Sequence, residues 1–309
     1  MQTFIQLMLD SGKTGIELSL YVLLPIMVIM MAIMNVLDKK NILNFVAKGF
    51  APLLILFGLP GLGVFAILQI LLISFAAPVA TLKIIDNDET ISDAGVAATL
   101  AAILVMAQAN AAFPLAAVGL NLPVSMATSL ISGLIASFIS FKAAGGHHAR
   151  AAYTPLTQKV EQSKKLIPLL FEGGESGLNI VLKSIPPLII AVFFVNIFKA
   201  TGVIVLLEQV FGPVLTLVGI PAIAVLPIVT KFIAGGTAMM AIILDLMKDG
   251  LMTATELNRV AGFTLNPLDP VGLAIFVATG PRVAKVVKPA IFGAALGILF
   301  RGMMHLIIF

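Results

Sequence analysis

The chain has 309 residues, of which 60% are hydrophobic and only 11% are charged, and its mean hydropathy is +1.10. Soluble globular domains are about 45–50% apolar and about 25% charged, so this composition predicts a polytopic membrane protein. The net charge of +4 is scattered over the predicted loops, which argues against a nucleic-acid-binding surface. The absence of cysteine excludes disulfides, Fe–S clusters and thiolate zinc sites.

Apolar runs divide the chain into two sets of predicted membrane segments. The N-terminus has neither a cationic region nor a small-residue cleavage site, so we expect no removable signal peptide. Residues 1–141 contain five segments: Ile16–Leu37, Ile42–Phe57, Val64–Leu82, Ala94–Val118 and Pro123–Phe141. A polar linker, predicted to be cytoplasmic, follows at residues 142–170. Residues 171–309 contain five more: Leu178–Phe198, Val203–Val218, Ala222–Met247, Leu257–Thr279 and Pro289–Ile308.

The two halves match each other at an offset of about 161 residues. Glycine and proline carry the match in a fixed order, with Pro52, Gly58 and Pro60 facing Pro213, Gly219 and Pro221. Apolar residues match by chance, whereas this punctuation does not, so we infer an internal duplication. The sequence therefore predicts an all-α polytopic membrane protein of about ten membrane segments in two repeats, with broken or re-entrant helices.

An odd number of segments in each half requires the two repeats to insert with opposite orientations. With the linker in the cytoplasm, twelve Lys and Arg residues fall on the cytoplasmic side. Five fall on the opposite side or at the chain ends: Lys13, Lys199, Lys248, Arg259 and Arg301. This bias agrees with the positive-inside rule and predicts inverted repeats in the cell (inner) membrane. Inverted repeats are typical of secondary transporters, whose solute site lies where discontinuous helices meet.

Polar residues interrupt the fourth predicted segment of each half. In the first half these are Gln108 and Asn110; in the second half they lie in the string Asn266-Pro-Leu-Asp269-Pro. Two prolines three residues apart remove two backbone donors and break a helix. The adjacent side chains form a candidate cation- or hydroxyl-binding cluster, with Asp269 as the protonatable group. The alternative is an ordinary solvated turn, which the alignment of Gln108 with Asp269 argues against.

The eighth predicted segment carries a second candidate cluster, Thr230, Lys231, Gly235, Gly236 and Thr237. A cation and a helix break at membrane depth are costly unless they face protein or a water-filled cavity. We interpret the cluster as a helix that unwinds at the glycine pair and frees polar groups for a solute. The alternative is close helix packing at the glycines, with Lys231 snorkelling or neutralising an acid.

The string Val229-Thr-Lys231-Phe-Ile-Ala-Gly235-Gly236 also carries a family resemblance. The region from Gly177 to Ile308 resembles the nucleoside-recognition or gate domain family, which includes spore-maturation-type membrane proteins. It is more distantly similar to the concentrative nucleoside transporters, whose motif is Gly-x-Lys-x-x-x-Asn-Glu-Phe-Val-Ala. The Lys matches, but the glycine pair replaces the Asn-Glu pair that contacts the nucleoside in those transporters. The resemblance implies a membrane-embedded solute site made by broken helices.

The sequence contains no catalytic triad, phosphate-binding loop or metal-ligand spacing, so we expect neither an enzyme nor a metal site. We predict a secondary transporter of a small polar solute, coupled to H⁺ or Na⁺ and without another cofactor. The solute-binding candidates are Thr230, Lys231, Gly235, Gly236, Thr237, Gln108 and Asn110. Asn266 and Asp269 are the candidates for binding the coupling ion.

Two alternatives to transport by a carrier stay open. One is a membrane component that transports nothing and binds a partner protein; the other is a passive channel. The expected partners of the chain are the solute and the lipid bilayer. Whether the chain also forms a homo-oligomer stays open.

Overall fold

The computed structural model of the protein describes residues 2–40, 42, 56–146, 165–217, 220 and 222–309, and within these ranges all regular structure is helical. The predicted segment Ile42–Phe57 and most of the linker lie outside the described residues. The helices, in chain order, are α1 (Gln2–Glu17), a π-helix (Leu18–Leu23), α2 (Leu24–Lys39), α3 (Gly61–Leu72), α4 (Pro78–Asn87), α5 (Asp93–Val105), α6 (Ala109–Ala116), α7 (Leu122–Ala143), α8 (Leu166–Ala200), α9 (Val203–Leu217), a 3₁₀ turn (Ala222–Ala224), α10 (Val225–Lys248), α11 (Ala254–Thr264), α12 (Pro270–Val277), α13 (Pro281–Lys285) and α14 (Val287–Ile308).

Five stretches of the described chain are long and apolar enough to cross a membrane. They are Phe4–Lys39, Asp93–Ala116, Leu122–Ala143, Leu166–Phe198 and Val287–Ile308. A sixth results if Gln209–Leu217 and Ala222–Phe232, which meet at a bend of 117°, form one span. The chain is therefore an all-α, multi-pass membrane protein, as predicted, while the total of ten segments stays a prediction.

Two long helical stretches pair in antiparallel fashion along one side of the molecule. The first runs from α1 through the π-helix into α2, which has Pro25 in its first turn. Because proline cannot donate a backbone hydrogen bond, the wider π-turn before it accommodates the missing bond without ending the helix. The second stretch is α8, which begins at Leu166, so the last residues of the predicted linker 142–170 are helical.

Glycine allows these two stretches to approach closely. A Cβ atom on Gly173 would lie 2.4 Å from the carbonyl oxygen of Met31, and one on Gly177 would lie 2.6 Å from that of Met27. The Asn35 side chain adds a hydrogen bond of 2.8 Å to the carbonyl of Leu169. The hydrophobic effect does not drive helices together inside a bilayer. Small residues stabilise a helix contact there because they allow close packing.

The centre of the molecule is α5, which is built almost entirely from Ala, Val, Leu and Ile. Every residue from Ala94 to Val105 is buried, and α7 and α14 pack against it. Gly297 on α14 permits this packing, because a Cβ there would lie 3.0 Å from the Val105 side chain on α5 and 2.9 Å from the Ala136 side chain on α7. The core helix therefore fixes the position of the chain that follows Val105.

The third predicted segment, Val64–Leu82, is not one continuous helix. The chain divides into α3 and α4, which pack on each other across the turn between Leu72 and Pro78. The 12 residues of α3 extend about 18 Å, well short of the ~30 Å hydrocarbon layer. The sequence placed Phe75 inside a span, whereas the structure places it at the tip of a short hairpin.

The close approach of α8 to α2 at Gly173 predicts that substitutions at two neighbouring glycines differ strongly in their effect on stability. Gly173→Ala puts a methyl group into the backbone of α2, so we expect a lower melting temperature of the detergent-purified protein. Gly174→Ala is the matched control, because its Cβ would lie 3.4 Å from Val28, an ordinary contact. An equal effect of the two substitutions on melting temperature would contradict the proposed close packing.

Candidate functional site

Helix α10 breaks at Gly235, within the glycine pair that the sequence singled out. The backbone there has φ 83° and ψ 177°, which leaves helical geometry in a region open almost only to glycine. The part of α10 before the break carries Thr230 and Lys231, and the part after it begins with Gly236 and Thr237. The break therefore exposes backbone groups in the middle of an apolar segment.

A second break separates α11, which ends at Thr264, from α12, which begins at Pro270. The Asn266 side chain satisfies the backbone locally: its Oδ1 accepts from Leu268 N at 3.1 Å, and its Nδ2 donates to Phe263 O at 2.8 Å. Asp269 is the N-cap of α12, with Oδ1 accepting from Gly272 N at 2.8 Å. An N-cap Asp followed by Pro is the usual beginning of a helix, so both side chains shape the break.

Lys231 joins the two breaks. Its ammonium donates to the carbonyl oxygens of Asn266 at 2.7 Å and Leu268 at 3.2 Å, and to Asp269 Oδ2 at 3.2 Å. The side chains of Lys231 and Asp269 are each only 3% exposed. A buried ion pair persists only when its remaining polar atoms are also satisfied, and here the carbonyl oxygens and the α12 cap do so. The ion pair therefore fixes α10 against the start of α12.

A third break lies in the first half, between α5 and α6. Ala107 N donates to Ser129 Oγ of α7 at 3.1 Å, and Gln108 takes the N-cap position of α6. Asn110 Oδ1 accepts from Phe75 N at 3.0 Å, which attaches α6 to the tip of the α3–α4 hairpin. The predicted interruption around Gln108 and Asn110 is therefore a true helix break.

The three breaks meet around a small cavity of about 60 Å³. Its lining residues come from the hairpin tip and all three breaks: Phe75, Gln108, Gly235, Gly236, Thr237, Asp269, Val271 and Gly272. Gln108 is only 4% exposed, and neither its amide nor the Thr237 hydroxyl has a hydrogen-bond partner among the described residues. The site thus offers two unused polar side chains beside a neutralised ion pair.

The structure brings together five of the predicted site residues and assigns other positions to the remainder. Gln108, Gly235, Gly236, Thr237 and Asp269 line the cavity. Thr230 does not, because its hydroxyl donates to Leu226 O of its own helix at 2.8 Å. Lys231, Asn110 and Asn266 lie behind the lining, where backbone groups of the breaks occupy their polar atoms.

Three lining residues, Phe75, Val271 and Gly272, were not predicted from the sequence, because apolar and glycine residues carry little signal. Phe75 lies in a run of similar residues, and its ring packs against that of Phe276 at a centroid distance of 5.2 Å. Gly272 donates to Asp269, and a Cβ there would lie 2.2 Å from Pro267 O. The spacing Asp-Pro-x-Gly is the one signal that could have identified Gly272 as part of the cap.

The overall arrangement of broken helices defines the class of the protein: it is a multi-pass membrane protein with a transporter fold. Solved structures of the concentrative nucleoside transporter CNTnw share this fold. A double variant in an outward-facing state has a TM-score of 0.67 at 16% identity, covering 93% of this chain and 74% of that one. The inward-facing substrate-bound state has a TM-score of 0.66 at 15% identity, covering 92% and 74%. A single variant in an intermediate state has a TM-score of 0.64 at 16% identity, covering 93% and 73%.

No protein-family profile matches the chain, and no curated protein sequence matches it significantly. The similarity to CNTnw therefore concerns the fold. Membership of the nucleoside-recognition family stays a prediction.

The buried ion pair predicts strong coupling between two substitutions. Asp269→Asn keeps an oxygen for the α12 cap but leaves the ammonium of Lys231 without a counter-charge, which costs about 3 kcal/mol. Adding Lys231→Met removes the unpaired charge, so we expect the double variant to regain most of the lost stability in calorimetric unfolding. A double variant no more stable than Asp269→Asn would show that the two side chains do not stabilise each other.

Proposed function

We propose that this protein is a secondary transporter of a small, uncharged polar solute, which is nucleoside-like by its resemblance to the concentrative nucleoside transporters. The cavity at the three helix breaks is its solute site. The observation that carries this proposal is that Gln108 and Thr237, whose amide and hydroxyl groups are unused, line the same cavity at the Gly235 break. Gln108 is buried and Thr237 is half-buried, and both line the cavity without a hydrogen-bond partner among the described residues, so both are available to bind a ligand there.

The charge balance of the site favours an uncharged solute. Lys231 and Asp269 form an ion pair at 3.2 Å, so the cavity presents an amide, a hydroxyl and backbone groups without a net charge. An anion or cation would give up its hydration without a matching charge, which is expensive in a buried site. A neutral solute with donors and acceptors faces no such cost.

The volume of the cavity indicates that the structure is a closed form of the site. A space of about 60 Å³ is well below the roughly 300–1,000 Å³ of typical small-molecule sites, so a nucleoside-sized solute does not fit without a movement of the lining. A Cβ atom on Gly235 would lie 3.6 Å from the side chain of Val271 on the facing helix, which is an ordinary contact, and no atom lies closer. We propose that the chain around Gly235 moves away from α12 to admit the solute.

The helix boundaries support the internal duplication on which the proposed ten segments in two inverted repeats depend. Helix α5 begins at Asp93 and α11 at Ala254, α6 begins at Ala109 and α12 at Pro270, and both pairs are 161 residues apart. This spacing equals the offset of the sequence match, so the same breaks recur in both halves. The repeats 1–141 and 171–309, with the linker 142–170 in the cytoplasm and the protein in the inner membrane, remain part of the proposal.

The contacts of Lys231 favour H⁺ over Na⁺ as the coupling ion at the second break. Sodium would need the same oxygens of Asn266, Leu268 and Asp269 that the ammonium already occupies. Binding of H⁺ needs no such set of oxygens; it would remove the charge attraction of Asp269 and leave Lys231 its hydrogen bonds to Asn266 O and Leu268 O. Asp269 is therefore the proposed coupling residue, and Asn266 holds the break in shape.

The first test is the melting temperature of the purified protein against nucleosides, nucleobases, amino acids and organic anions, with and without sodium. A ligand at 100 times its Kd stabilises the fold by about 2.7 kcal/mol, so we expect an uncharged polar class to raise the melting temperature without sodium. A shift with organic anions alone would contradict the neutral site. The absence of any shift, together with co-purification of a second protein, would favour the partner-binding alternative, and uptake independent of any gradient would favour a channel.

The second test replaces the two unused polar side chains. Gln108→Leu and Thr237→Val each remove one hydrogen bond to the solute, so we expect Kd to rise about 3- to 10-fold. Gln69→Leu and Thr230→Val are the matched controls, because Gln69 accepts from Thr81 and Thr230 donates to its own helix. Equal losses of affinity in all four variants would show that the cavity does not bind the solute.

A further inference from the structure

Arg301 is a fully buried cation without a role in the transport mechanism proposed above. Its exposure is 0%, it lies on α14, and no described carboxylate forms an ion pair with it. Its Nη1 donates to Leu265 O at 2.7 Å and to Val105 O at 3.3 Å, and its Nη2 donates to Ser125 Oγ at 2.9 Å. The guanidinium thus uses neutral oxygens of three different helices.

Two of these oxygens lie where the broken helices of the two repeats end. Val105 is the last residue of α5, and Leu265 is the C-cap of α11. The C-terminal end of a helix carries about half a negative charge, so one guanidinium between two such ends is compensated without an acid. The planar guanidinium group also donates to several acceptors at once in a fixed geometry, whereas a lysine ammonium is a compact charge without that geometry.

Each of the other side chains that hold the α5–α6 and α11–α12 breaks binds only one of these two. Lys231 binds the carbonyl oxygens and the carboxylate of the α11–α12 break, and Ser129 binds Ala107 N of the α5–α6 break. Among the hydrogen bonds of the described residues, those of Arg301 alone reach both breaks. Its position therefore sets the distance between them.

We propose that Arg301 is the positioning residue of the solute site. Gln108 follows Val105 by three residues and Asp269 follows Leu265 by four, so a shift of either helix end moves a residue of the cavity lining. By joining the two ends, Arg301 holds the N-caps of α6 and α12 on opposite sides of one cavity. The expected effect of Arg301 on solute binding rests on the proposed function. The expected effect of Arg301 on the distance between the two helix ends does not.

Replacement by a neutral residue separates a positioning role from a merely stabilising one. Arg301→Met removes the buried charge but leaves the oxygens of Leu265 and Ser125 without this donor, so we expect it to fold with a lower melting temperature. Arg301→Lys keeps the positive charge but loses the planar pair of guanidinium donors, and it serves as the conservative variant. His305→Gln is the matched control, because His305 lies one turn further on α14 and bonds to Asn258 and Thr128, away from both breaks.

The natural absence of cysteine allows a distance measurement that needs no solute. Spin labels at Ala117→Cys and Ala278→Cys follow the ends of α6 and α12 at exposed positions. We expect Arg301→Met to broaden the distance distribution measured by electron paramagnetic resonance, Arg301→Lys to broaden it less, and His305→Gln to leave it unchanged.

A second measurement is the binding of uridine, whose Kd should rise at least tenfold in Arg301→Met and less in Arg301→Lys.

A distance distribution in Arg301→Met that coincides with that of the parent would overturn the proposal, whatever the uridine result. If Arg301→Met does not fold, the distribution in Arg301→Lys decides in the same way. A parent protein that binds no uridine but responds to Arg301→Met in distance would support Arg301 as the positioning residue and count against the proposed nucleoside-like solute.

Discussion

A helix that breaks inside a membrane must find partners within the protein for the backbone groups it frees, because the surrounding lipid provides none. This constraint accounts for the placement of the polar residues in an otherwise apolar chain. Lys231 and Arg301 donate to carbonyl oxygens of the α11–α12 break, and Ser129 accepts from the α5–α6 break. The cations are therefore part of the scaffold that keeps the broken helices in place.

The hydrogen bonds that hold the breaks also determine which polar side chains are left without a partner in the cavity. Once the ion pair of Lys231 and Asp269 is formed and Asn110 and Asn266 are bound to backbone groups, Gln108 and Thr237 remain unused in the cavity. The cavity consequently carries no net charge, although the carboxylate of Asp269 forms part of its wall. Gly235 and the hairpin tip complete the wall of this small cavity, which opens before a solute binds in the mechanism that we propose.

The sequence predicted the breaks better than it predicted the contacts around them. The glycine pair and the prolines act through their own backbone, so local pattern was sufficient to place the breaks at Gly235 and after Thr264. The direction of Lys231 was not predictable, because its partners lie 35 to 38 residues away and only the folded chain brings them together. Arg301 was counted with charges at the chain ends, although its partners lie up to 196 residues away.

The most direct test of the solute site is protection of a single introduced thiol. Thr237→Cys places the only cysteine of the chain in the cavity, and the rate of its modification by a membrane-permeant maleimide is measured with and without a transported solute. We predict that the solute slows modification of Thr237→Cys and leaves Thr230→Cys unaffected, because the Thr230 side chain faces its own helix. A solute that the protein transports while the modification rate of Thr237→Cys stays the same would contradict the site.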